Sequence, residues 1–302
     1  MVEASVIIPT HNRREILRRN LEHLNQQRVD RSRFEVIVAD DGSTDETAEM
    51  IADLDVDLDL HYLYQEKRGA AAARNKAIDV SRGKLIIFID SDILASENLV
   101  GEHMRSHRVD GKIIVQGPVI HTHNLENLSQ ARRKIFDLYF APFATGNSSV
   151  AKRYLIQAGK FDERFQEYGW EDPELGIRLK ALGLKSKRNR RAIGYHYQKK
   201  NSVKNLDQLC AKERQRGHTA IQFYRKHPIF EVKNQIMLRS PFWWLDRMLT
   251  LGGWTDKPGT RRFLETLEER GHDHLLTFFM KIIKTHHYFE GMRERLDSLN
   301  SG

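Results

Sequence analysis

The fold of this chain is indicated most clearly by KLIIFIDSD, residues 84–92, in which a short apolar run ends in two aspartates. An apolar run of this length, bounded by turn residues, is typical of a strand buried on both faces of a sheet. Three similar runs precede it, at Ser5 to Pro9, Phe34 to Ala39 and His61 to Tyr64. Helix-like stretches separate these runs, and the alternation predicts right-handed crossovers and a mostly parallel central sheet flanked by helices. We therefore predict an α/β fold.

Farther along the chain the alternation weakens. A strand is predicted over Ile113 to Val119, a helix over Glu126 to Tyr139 and a basic strand ending near Tyr197. The remaining residues have a helical pattern that is interrupted by prolines. We expect an α/β domain over residues 1–200 and a helical C-terminal appendage over residues 201–302.

The loops at the carboxyl ends of the strands carry the candidate chemistry, because ligands of parallel sheets bind there. The second strand ends in Asp40 and Asp41, two adjacent carboxylates that repel each other unless nearby groups donate hydrogen bonds. The imide N–H of a nucleobase is one such donor. A simpler interpretation is local, because Ser43 and Glu46 have the spacing of a capping box that opens a helix. The spacing alone leaves both interpretations open.

The fourth strand runs directly into Asp90 and Asp92. Carboxylates two residues apart at a strand end can turn toward one hard cation such as Mg²⁺ or Mn²⁺, although the same residues are common in turns. Because two strands of one sheet deliver acidic residues to the same edge, we favour a cation site there. Arg74 is in the helix predicted before this strand. Two interpretations are open for its guanidinium, which contacts either these carboxylates or a phosphate.

A second acidic cluster lies near residue 172. Asp172 at the N-cap, Pro173 and Glu174 form a good helix start. This leaves Glu171 and Trp170 unexplained, and a carboxylate beside an exposed indole would suit a general base with a sugar stacked on the ring.

The ordered set of motifs resembles family 2 glycosyltransferases of the GT-A fold. The matching segments are SVIIPTHNR (5–13), EVIVADDGSTD (35–45), GAAAARNKA (69–77), FIDSD (88–92), GNSSV (146–150) and FDERFQEYGWEDPELGIRL (161–179). They occur in the order of the family and, with the late histidine His196, extend the likeness to about residue 197. The helices that follow are not covered by it.

The resemblance implies a nucleotide-diphosphate-sugar donor, with a UDP-sugar favoured, and a single displacement that inverts the anomeric configuration. It implies that the donor nucleotide is bound by eight residues, Pro9, Thr10, His11, Asn12, Asp41, Arg74, Asp90 and Ser91. Asp92 and His196 would bind the metal ion, Mn²⁺ or Mg²⁺, and Asp172 would be the catalytic base. The acceptor or sugar pocket would be lined by Asn147, Trp170 and Glu171. The acceptor is expected to be a glycan or a lipid-linked sugar. Addition of one or a few sugars is favoured, because no Gln-x-x-Arg-Trp motif of the processive synthases is found.

The net charge of +8 is concentrated between Lys185 and Arg239, where fifteen lysines and arginines face three acidic residues. Such a segment attracts a diphosphate, a nucleic acid or an acidic bilayer, although a solvated helical face is the commoner meaning. A nucleic acid partner is disfavoured, because the acidic strand ends would repel its phosphates and no recognised binding motif is present. A sugar nucleotidyltransferase would carry a glycine-rich, lysine-containing loop where this chain has Thr10 to Arg13. A non-catalytic nucleotide-sugar binder stays open as a third alternative.

The helical region is expected to contact the acceptor, a membrane surface or a second subunit. Apolar residues between Leu275 and Met292 follow helical spacing, which favours a core or a homodimer contact, whereas Pro241 to Trp244 favours peripheral contact with a membrane. No apolar run approaches the roughly 20 residues that cross a bilayer. No secretory signal opens the chain, and Cys210 is the only cysteine. We expect a cytoplasmic protein, peripheral at the inner face of the membrane if the acceptor is lipid-linked.

Overall fold

The computed structural model describes residues 1–109, 111–125, 127–128, 131, 143–198 and 202–301. The chain forms two compact units, of which the first comprises Met1–Gln166 with Glu171–Lys199 and the second Glu167–Trp170 with Lys200–Gly302. The expected domain boundary between residues 200 and 201 falls outside the described residues, as does most of the helix expected over Glu126 to Tyr139.

All strands of the described residues lie in the first unit. They are β1 (Ala4–Thr10), β2 (Phe34–Asp41), β3 (Leu60–Gln65), β4 (Leu85–Ile89), β5 (Ile93–Ala95), β6 (Ile113–Gln116), β7 (Val119–Thr122), β8 (Asn147–Ala151), β9 (Lys185–Arg188) and β10 (Gly194–Tyr197). Seven of them form one sheet in the order β3-β2-β1-β4-β8-β6-β9, and β5, β10 and β7 form a second sheet. Strands β1 to β4 are parallel, and β8 runs antiparallel to both β4 and β6. The expectation of a mostly parallel sheet flanked by helices is confirmed.

The expected strand over Ile113 to Val119 is in fact two strands, β6 and β7, which belong to different sheets. Gly117 and Pro118 separate them. Proline has no backbone N–H to donate to a ladder, so pairing ends there and the chain can leave the first sheet for the second.

The helices, in chain order, are α1 (Arg14–Asn25), α2 (Thr47–Ala52), α3 (Ala70–Val80), α4 (Leu99–Ser106), α5 (Lys152–Gln157), α6 (Glu171–Ala181), α7 (Leu206–Lys226), α8 (Phe230–Gln235), α9 (Ser240–Leu249), α10 (Pro258–Glu269) and α11 (Asp273–Asn300). Two helix starts differ from expectation. α2 begins at Thr47, after Glu46 adopts the left-handed conformation, so the Ser43–Glu46 capping box is wrong. α6 begins at Glu171, which places Asp172 within its first turn and not at the N-cap.

The main sheet is buried on both faces. The apolar face of α1 supplies Leu17, Leu21 and Leu24 to one side, where they join alternate residues of β1, β2 and β4. On the other side α3 contributes Ala71, Ala73 and Ala77. The alanine side chain is so small that α3 can lie close to the strands. This position of α3 brings Arg74, in its second turn, to the edge of the sheet.

The second unit is held together by a close crossing of α7 and α11. A Cβ atom on Gly217 would lie 2.2 Å from the carbonyl oxygen of Tyr288, and one on Gly291 would lie 2.1 Å from that of Arg214. Both distances are far below van der Waals contact, so the two backbones approach closely only because both residues are glycine.

The apolar stripe expected in the last helix is divided between core and surface. Ile283, Phe289 and Met292 are buried, whereas Leu275 and Phe278 are exposed. Among the described residues, no helix is long and apolar enough to cross a lipid bilayer.

Candidate active site

The carboxyl ends of β1, β2 and β4 form one edge of the main sheet. β1 pairs in parallel with both neighbours, with Thr10 opposite Asp40 and Ile7 opposite Phe88. Residues that follow these three strands therefore emerge on the same side, as the sequence predicts.

The two adjacent carboxylates at the end of β2 each have their own hydrogen-bond donors. Asp40 accepts from the backbone N–H of Ser43 and from the hydroxyl of Tyr62, both at 2.8 Å. Asp41 accepts from the side-chain amide of Gln65 and from the backbone N–H groups of Arg68 and Gly69. The donors that this pair requires are thus supplied by the protein itself, and the pair is stable before any nucleotide binds.

The loop after β1 is joined to the loop after β2 through Asn12. Its side-chain oxygen accepts from the backbone N–H of Thr44 at 2.7 Å, and its own N–H donates to the hydroxyl of Ser43 at 2.8 Å. Asn12 adopts φ = 52°, a left-handed conformation that asparagine tolerates better than most residues. Ser43 is therefore used between loops, which explains why it does not cap α2.

Two polar atoms beside this loop are buried without a hydrogen-bond partner among the described residues. They are the hydroxyl oxygen of Thr10 and Nδ1 of His11. An unpaired buried polar atom costs roughly 1–3 kcal/mol. A ligand that bound against Pro9, Thr10 and His11 would be able to supply the missing partners.

Asp92 and His196 meet because of the second sheet. β5 begins directly after Asp92, and its antiparallel pairing with β10 sets His196 opposite Ile93. As a result Nε2 of His196 lies 3.3 Å from Oδ2 of Asp92. The guanidinium of Arg13 contacts the same carboxylate oxygen. Burial alone would raise the pKa of Asp92, but the hydrogen bond from His196 and the charge of Arg13 outweigh it and hold this pKa at about 2.

The other ring nitrogen of His196 faces a second imidazole. Nδ1 of His196 lies 3.1 Å from Nδ1 of His121, which occupies the paired position on β7. Ser91, between the two aspartates, is buried. A carboxylate oxygen and an imidazole nitrogen are ligands that Mn²⁺ accepts, and a site with two protein ligands leaves positions for phosphate oxygens and water.

Arg74 joins three carboxylates into one cluster. The residue is only 5% exposed, and its guanidinium lies 3.2 Å from Asp90, 3.1 Å from Glu171 and 3.7 Å from Asp172. Burial disfavours its charge, but the three carboxylates more than compensate and raise its pKa. Of the two alternatives for Arg74, the structure shows the contact with carboxylates.

The two oxygens of Asp172 have different surroundings. Oδ2 accepts from the backbone N–H and the hydroxyl of Thr145, at 2.9 and 2.6 Å. Oδ1 is buried and has no hydrogen-bond partner in the described part of the chain. Burial, together with the charges of Glu171 and Asp90, raises the pKa of Asp172 to about 7, although Arg74 and Thr145 lower it. Thr145 thus fixes one oxygen, while the other has only the longer ion-pair contact with Arg74, at 3.7 Å.

Two residues expected in an acceptor or sugar pocket make contacts within the protein. Asn147 is buried, and its side-chain NH₂ group donates to the carbonyls of Pro118 and Ala192. Its Oδ1 lies 2.8 Å from Nε2 of His103. Every polar atom of its amide is thus engaged within the protein, and a role of Asn147 in an acceptor or sugar pocket stays a prediction.

The exposed indole expected at Trp170 is wrong. Trp170 is only 8% exposed and belongs to the second unit, where its ring stacks on Phe223 at a centroid distance of 5.8 Å. The guanidinium of Arg216 lies 5.0 Å from the ring centroid, and Nε1 donates to the carbonyl of the same residue. The ring is therefore packed against residues of the second unit and is not exposed. Glu171, by contrast, remains in the Arg74 cluster.

Sequence reasoning did not anticipate the contacts of Arg13, His121 and Thr145 with the predicted residues. Arg13 and Thr145 lie in or next to the quoted motifs, but no periodicity shows which carboxylate each one contacts. His121 depends on the pairing of β7 with β10, which is a long-range feature. A further group of potential metal ligands, Glu35, Asp59 and His61, lies near the amino-terminal ends of β2 and β3. Arg82 forms ion pairs with both of its carboxylates, which accounts for that cluster without a metal.

Comparison with known proteins gives consistent results. The family model described as Glycosyl transferase family 2 matches residues 5–165. An uncharacterized glycosyltransferase of Bacillus subtilis, YfnE, is 32% identical in an alignment 269 residues long that covers 70% of this chain and 68% of that protein. A validoxylamine A glucosyltransferase of Streptomyces hygroscopicus is 29% identical over 74% of this chain, and the match spans 61% of that longer protein.

Among solved structures, the mannosyltransferase PcManGT from Pyrobaculum calidifontis superimposes with a TM-score of 0.64 at 16% identity, over 97% of this chain and 87% of its own. At this identity the likeness concerns the fold alone, and it confirms the expected GT-A architecture. The family match over more than half of the chain and the similarity to YfnE show that the chain belongs to glycosyl transferase family 2.

Proposed function

We propose that this chain is a metal-dependent, inverting glycosyltransferase. It transfers a sugar from a nucleotide-diphosphate sugar, with a UDP-sugar favoured, to a hydroxyl group of a glycan or a lipid-linked sugar. The names of its relatives support the reaction class: one is a validoxylamine A glucosyltransferase, and the mannosyltransferase PcManGT was solved in complex with GDP-Man and Mn²⁺.

The observation that carries the proposal is the environment of Asp172. A general base works best when its pKa lies near the operating pH, and burial brings the pKa of Asp172 to about 7. Its Oδ1, which has no hydrogen-bond partner among the described residues, accepts the proton of the acceptor hydroxyl while the hydroxyl oxygen attacks the anomeric carbon. The bond from the anomeric carbon to the diphosphate breaks on the opposite face, and the configuration inverts.

Asp92 and His196 would hold the metal ion, Mn²⁺ or Mg²⁺. A bound divalent cation neutralises charge that develops on the departing diphosphate. The fit is supported by the carboxylate and imidazole donors, which lie 3.3 Å apart, and by the contact of Arg13 with Asp92, which shows that this oxygen already attracts a positive charge. Arg13, beside Asp92, would be within the same site, where its guanidinium could pair with a phosphate of the donor.

The donor nucleotide binds at the loops after β1 and β2. Pro9, Thr10, His11 and Asn12 line the nucleoside, Asp41 holds the base, and Asp90 and Ser91 lie toward the ribose. The buried, unpartnered atoms of Thr10 and His11 support this placement, because a bound nucleoside would satisfy them. Arg74 acts indirectly in this scheme, since its guanidinium keeps the three carboxylates of the cluster together.

A thermal-shift panel of UDP-, GDP-, dTDP- and CMP-sugars, each with and without Mn²⁺, tests the proposal. A ligand that binds only the folded state raises the apparent melting temperature. We expect one nucleotide class to raise it, and to do so more strongly with Mn²⁺. Hydrolysis or transfer of that donor in the presence of Mn²⁺, abolished by EDTA, separates an enzyme from a passive binder. No shift with any donor would contradict the proposal.

A further inference from the structure

The solvent-facing side of α9 is apolar. Trp244, Leu245 and Met248 lie on this side and are exposed, Trp244 to 67%. The opposite side packs into the second unit through Trp243, whose ring lies 5.2 Å from that of Phe289, and through the buried Asp246. A surface helix normally turns its polar residues to water, so α9 has the reverse of the usual pattern.

The exposed apolar surface continues past both ends of α9. Leu251, just beyond its last residue, is 73% exposed, and Phe230 at the start of α8 is 70% exposed. The guanidinium of Arg239, at the N-cap of α9, lies 5.3 Å from the centroid of the Phe230 ring, which connects this ring to the helix. We call Phe230, Trp244, Leu245, Met248 and Leu251 the α9 surface. Contiguous exposed apolar surface of this kind marks a contact with another molecule or with a membrane.

The charges around the α9 surface are basic. Lys233, Arg239 and Arg247 are positive, whereas α8 and α9 contain only two acidic residues, Glu231 and Asp246. Asp246 is buried and forms ion pairs with Arg293 and His286, so it adds no negative charge to the surface. The α9 surface therefore presents apolar side chains within a basic rim.

We propose that the α9 surface binds an anionic lipid bilayer. α9 lies parallel to the membrane plane, with Trp244, Leu245 and Met248 at the boundary between headgroups and acyl chains. Arg247, Lys233 and Arg239 contact the anionic headgroups. Amphipathic helices that bind membranes in this way combine tryptophan and aliphatic residues with arginine and lysine.

Charge complementarity favours a bilayer over a second copy of this chain. A two-fold contact would place the same patch of both copies face to face, and their basic rims would then repel each other. An anionic membrane attracts the same rim. The inference concerns the second unit alone, so it stands or fails separately from the proposed glycosyl transfer.

Cosedimentation of the full chain with vesicles tests the inference. We expect binding to vesicles of phosphatidylcholine with about a third phosphatidylglycerol at low salt, and weaker binding at high salt or without phosphatidylglycerol. The double variant Trp244→Gln, Met248→Gln should lose at least about tenfold in affinity, because each side chain no longer enters the apolar layer. Arg247→Gln should lose about fivefold. The matched control is Val109→Gln, Ile156→Gln, which removes two exposed apolar side chains from the first unit and should bind as the wild type does.

Tryptophan fluorescence with brominated lipids provides a second measurement. Trp244 should be quenched by bromine in the upper acyl chain, and Trp244→Phe should keep its affinity while losing most of the quenching. Absence of cosedimentation with anionic vesicles, or unchanged binding by the Trp244→Gln, Met248→Gln variant, would overturn the inference. A wild-type dimer that this variant dissociates in the absence of lipid would overturn it too, because the α9 surface would then belong to a second copy.

Discussion

The carboxyl group of Asp172 shows how one residue acquires a catalytic character from its surroundings. Thr145 fixes one oxygen with two hydrogen bonds, while the other oxygen has no hydrogen-bond partner among the described residues. Burial raises its pKa, and Arg74 opposes that effect without removing it. The sequence could identify the aspartate through its motif, but not Thr145, since nothing in the spacing of residues 145 and 172 indicates that they touch.

Asp172→Asn should lower kcat while leaving donor binding intact. A well-placed general base contributes roughly 10²–10⁴-fold to the rate, and the amide cannot accept the proton. We expect a fall of that order in kcat and an unchanged thermal shift with the donor. Asp79→Asn, which alters an exposed carboxylate paired with Lys160, serves as the control. Wild-type turnover by Asp172→Asn would remove this residue from the mechanism.

The same carboxyl group predicts the acidic limb of the pH profile. The base must be ionised, so kcat/KM should rise with pH through about 7, and roughly a tenth of its plateau value should remain one pH unit below that pH. The hydroxyl of Thr145 lowers the pKa of Asp172, so Thr145→Val should move the limb to higher pH. A limb that stays in place in this variant would show that another group titrates.

At the scale of elements, strands are easier to predict than the loops between them. The apolar runs before Asp41 and Asp90 correspond to β2 and β4, because a strand buried on both faces must be apolar throughout. The capping box at Ser43 failed because its hydroxyl accepts a hydrogen bond from Asn12, 31 residues earlier. A local pattern cannot reveal such a competing partner in another loop.

Two histidines, His103 in α4 and His107 just after it, contact β8 and should make stability sensitive to acid. The hydroxyl of Ser149 lies 2.8 Å from His103 and 3.0 Å from His107, and burial lowers the pKa of both histidines to about 4. Their contribution to stability is complete above the unfolded pKa near 6.5 and is lost as the pH falls toward 4.

His107→Gln should isolate one of these contributions. Glutamine can still contact Ser149 but does not titrate. Urea unfolding measures the free energy of unfolding of both proteins. The value for the wild type minus the value for this variant should fall by about 2 kcal/mol from pH 7 to pH 5. A difference that does not change with pH would contradict the assignment of a buried, neutral His107.

Two glycine substitutions in the second unit should have opposite effects on stability, because only Gly291 lies where α7 and α11 cross. Gly291→Ala should destabilise the second unit by about 2 kcal/mol or more, because the new Cβ would collide with backbone of α7. Gly259→Ala, in α10, has open space around the added Cβ and should stabilise by about 0.5–1 kcal/mol. Urea unfolding of both variants measures the effect, and equal stabilities would argue against the close crossing.

At the scale of the whole molecule, the order of the motifs predicts the family and the GT-A fold, and three of the motifs end the parallel strands β1, β2 and β4 at one edge of the main sheet. Asp92 and His196 meet there although 103 positions separate them in the sequence. Asn147 and Trp170 could not be assigned in this way. Whether a polar or aromatic side chain faces a pocket or the core depends on long-range packing, in these cases against Ala192 and Phe223.

The most direct test of the account is a calorimetric titration of the donor found in the thermal-shift panel, with and without Mn²⁺. Three proteins are compared: the wild type, Asp92→Asn, and Asp59→Asn, which alters the acidic cluster paired with Arg82. The account predicts that Mn²⁺ strengthens donor binding to the wild type and to Asp59→Asn, and that this effect is lost in Asp92→Asn. Full Mn²⁺ dependence in Asp92→Asn, or its loss in Asp59→Asn, would contradict the proposed metal site.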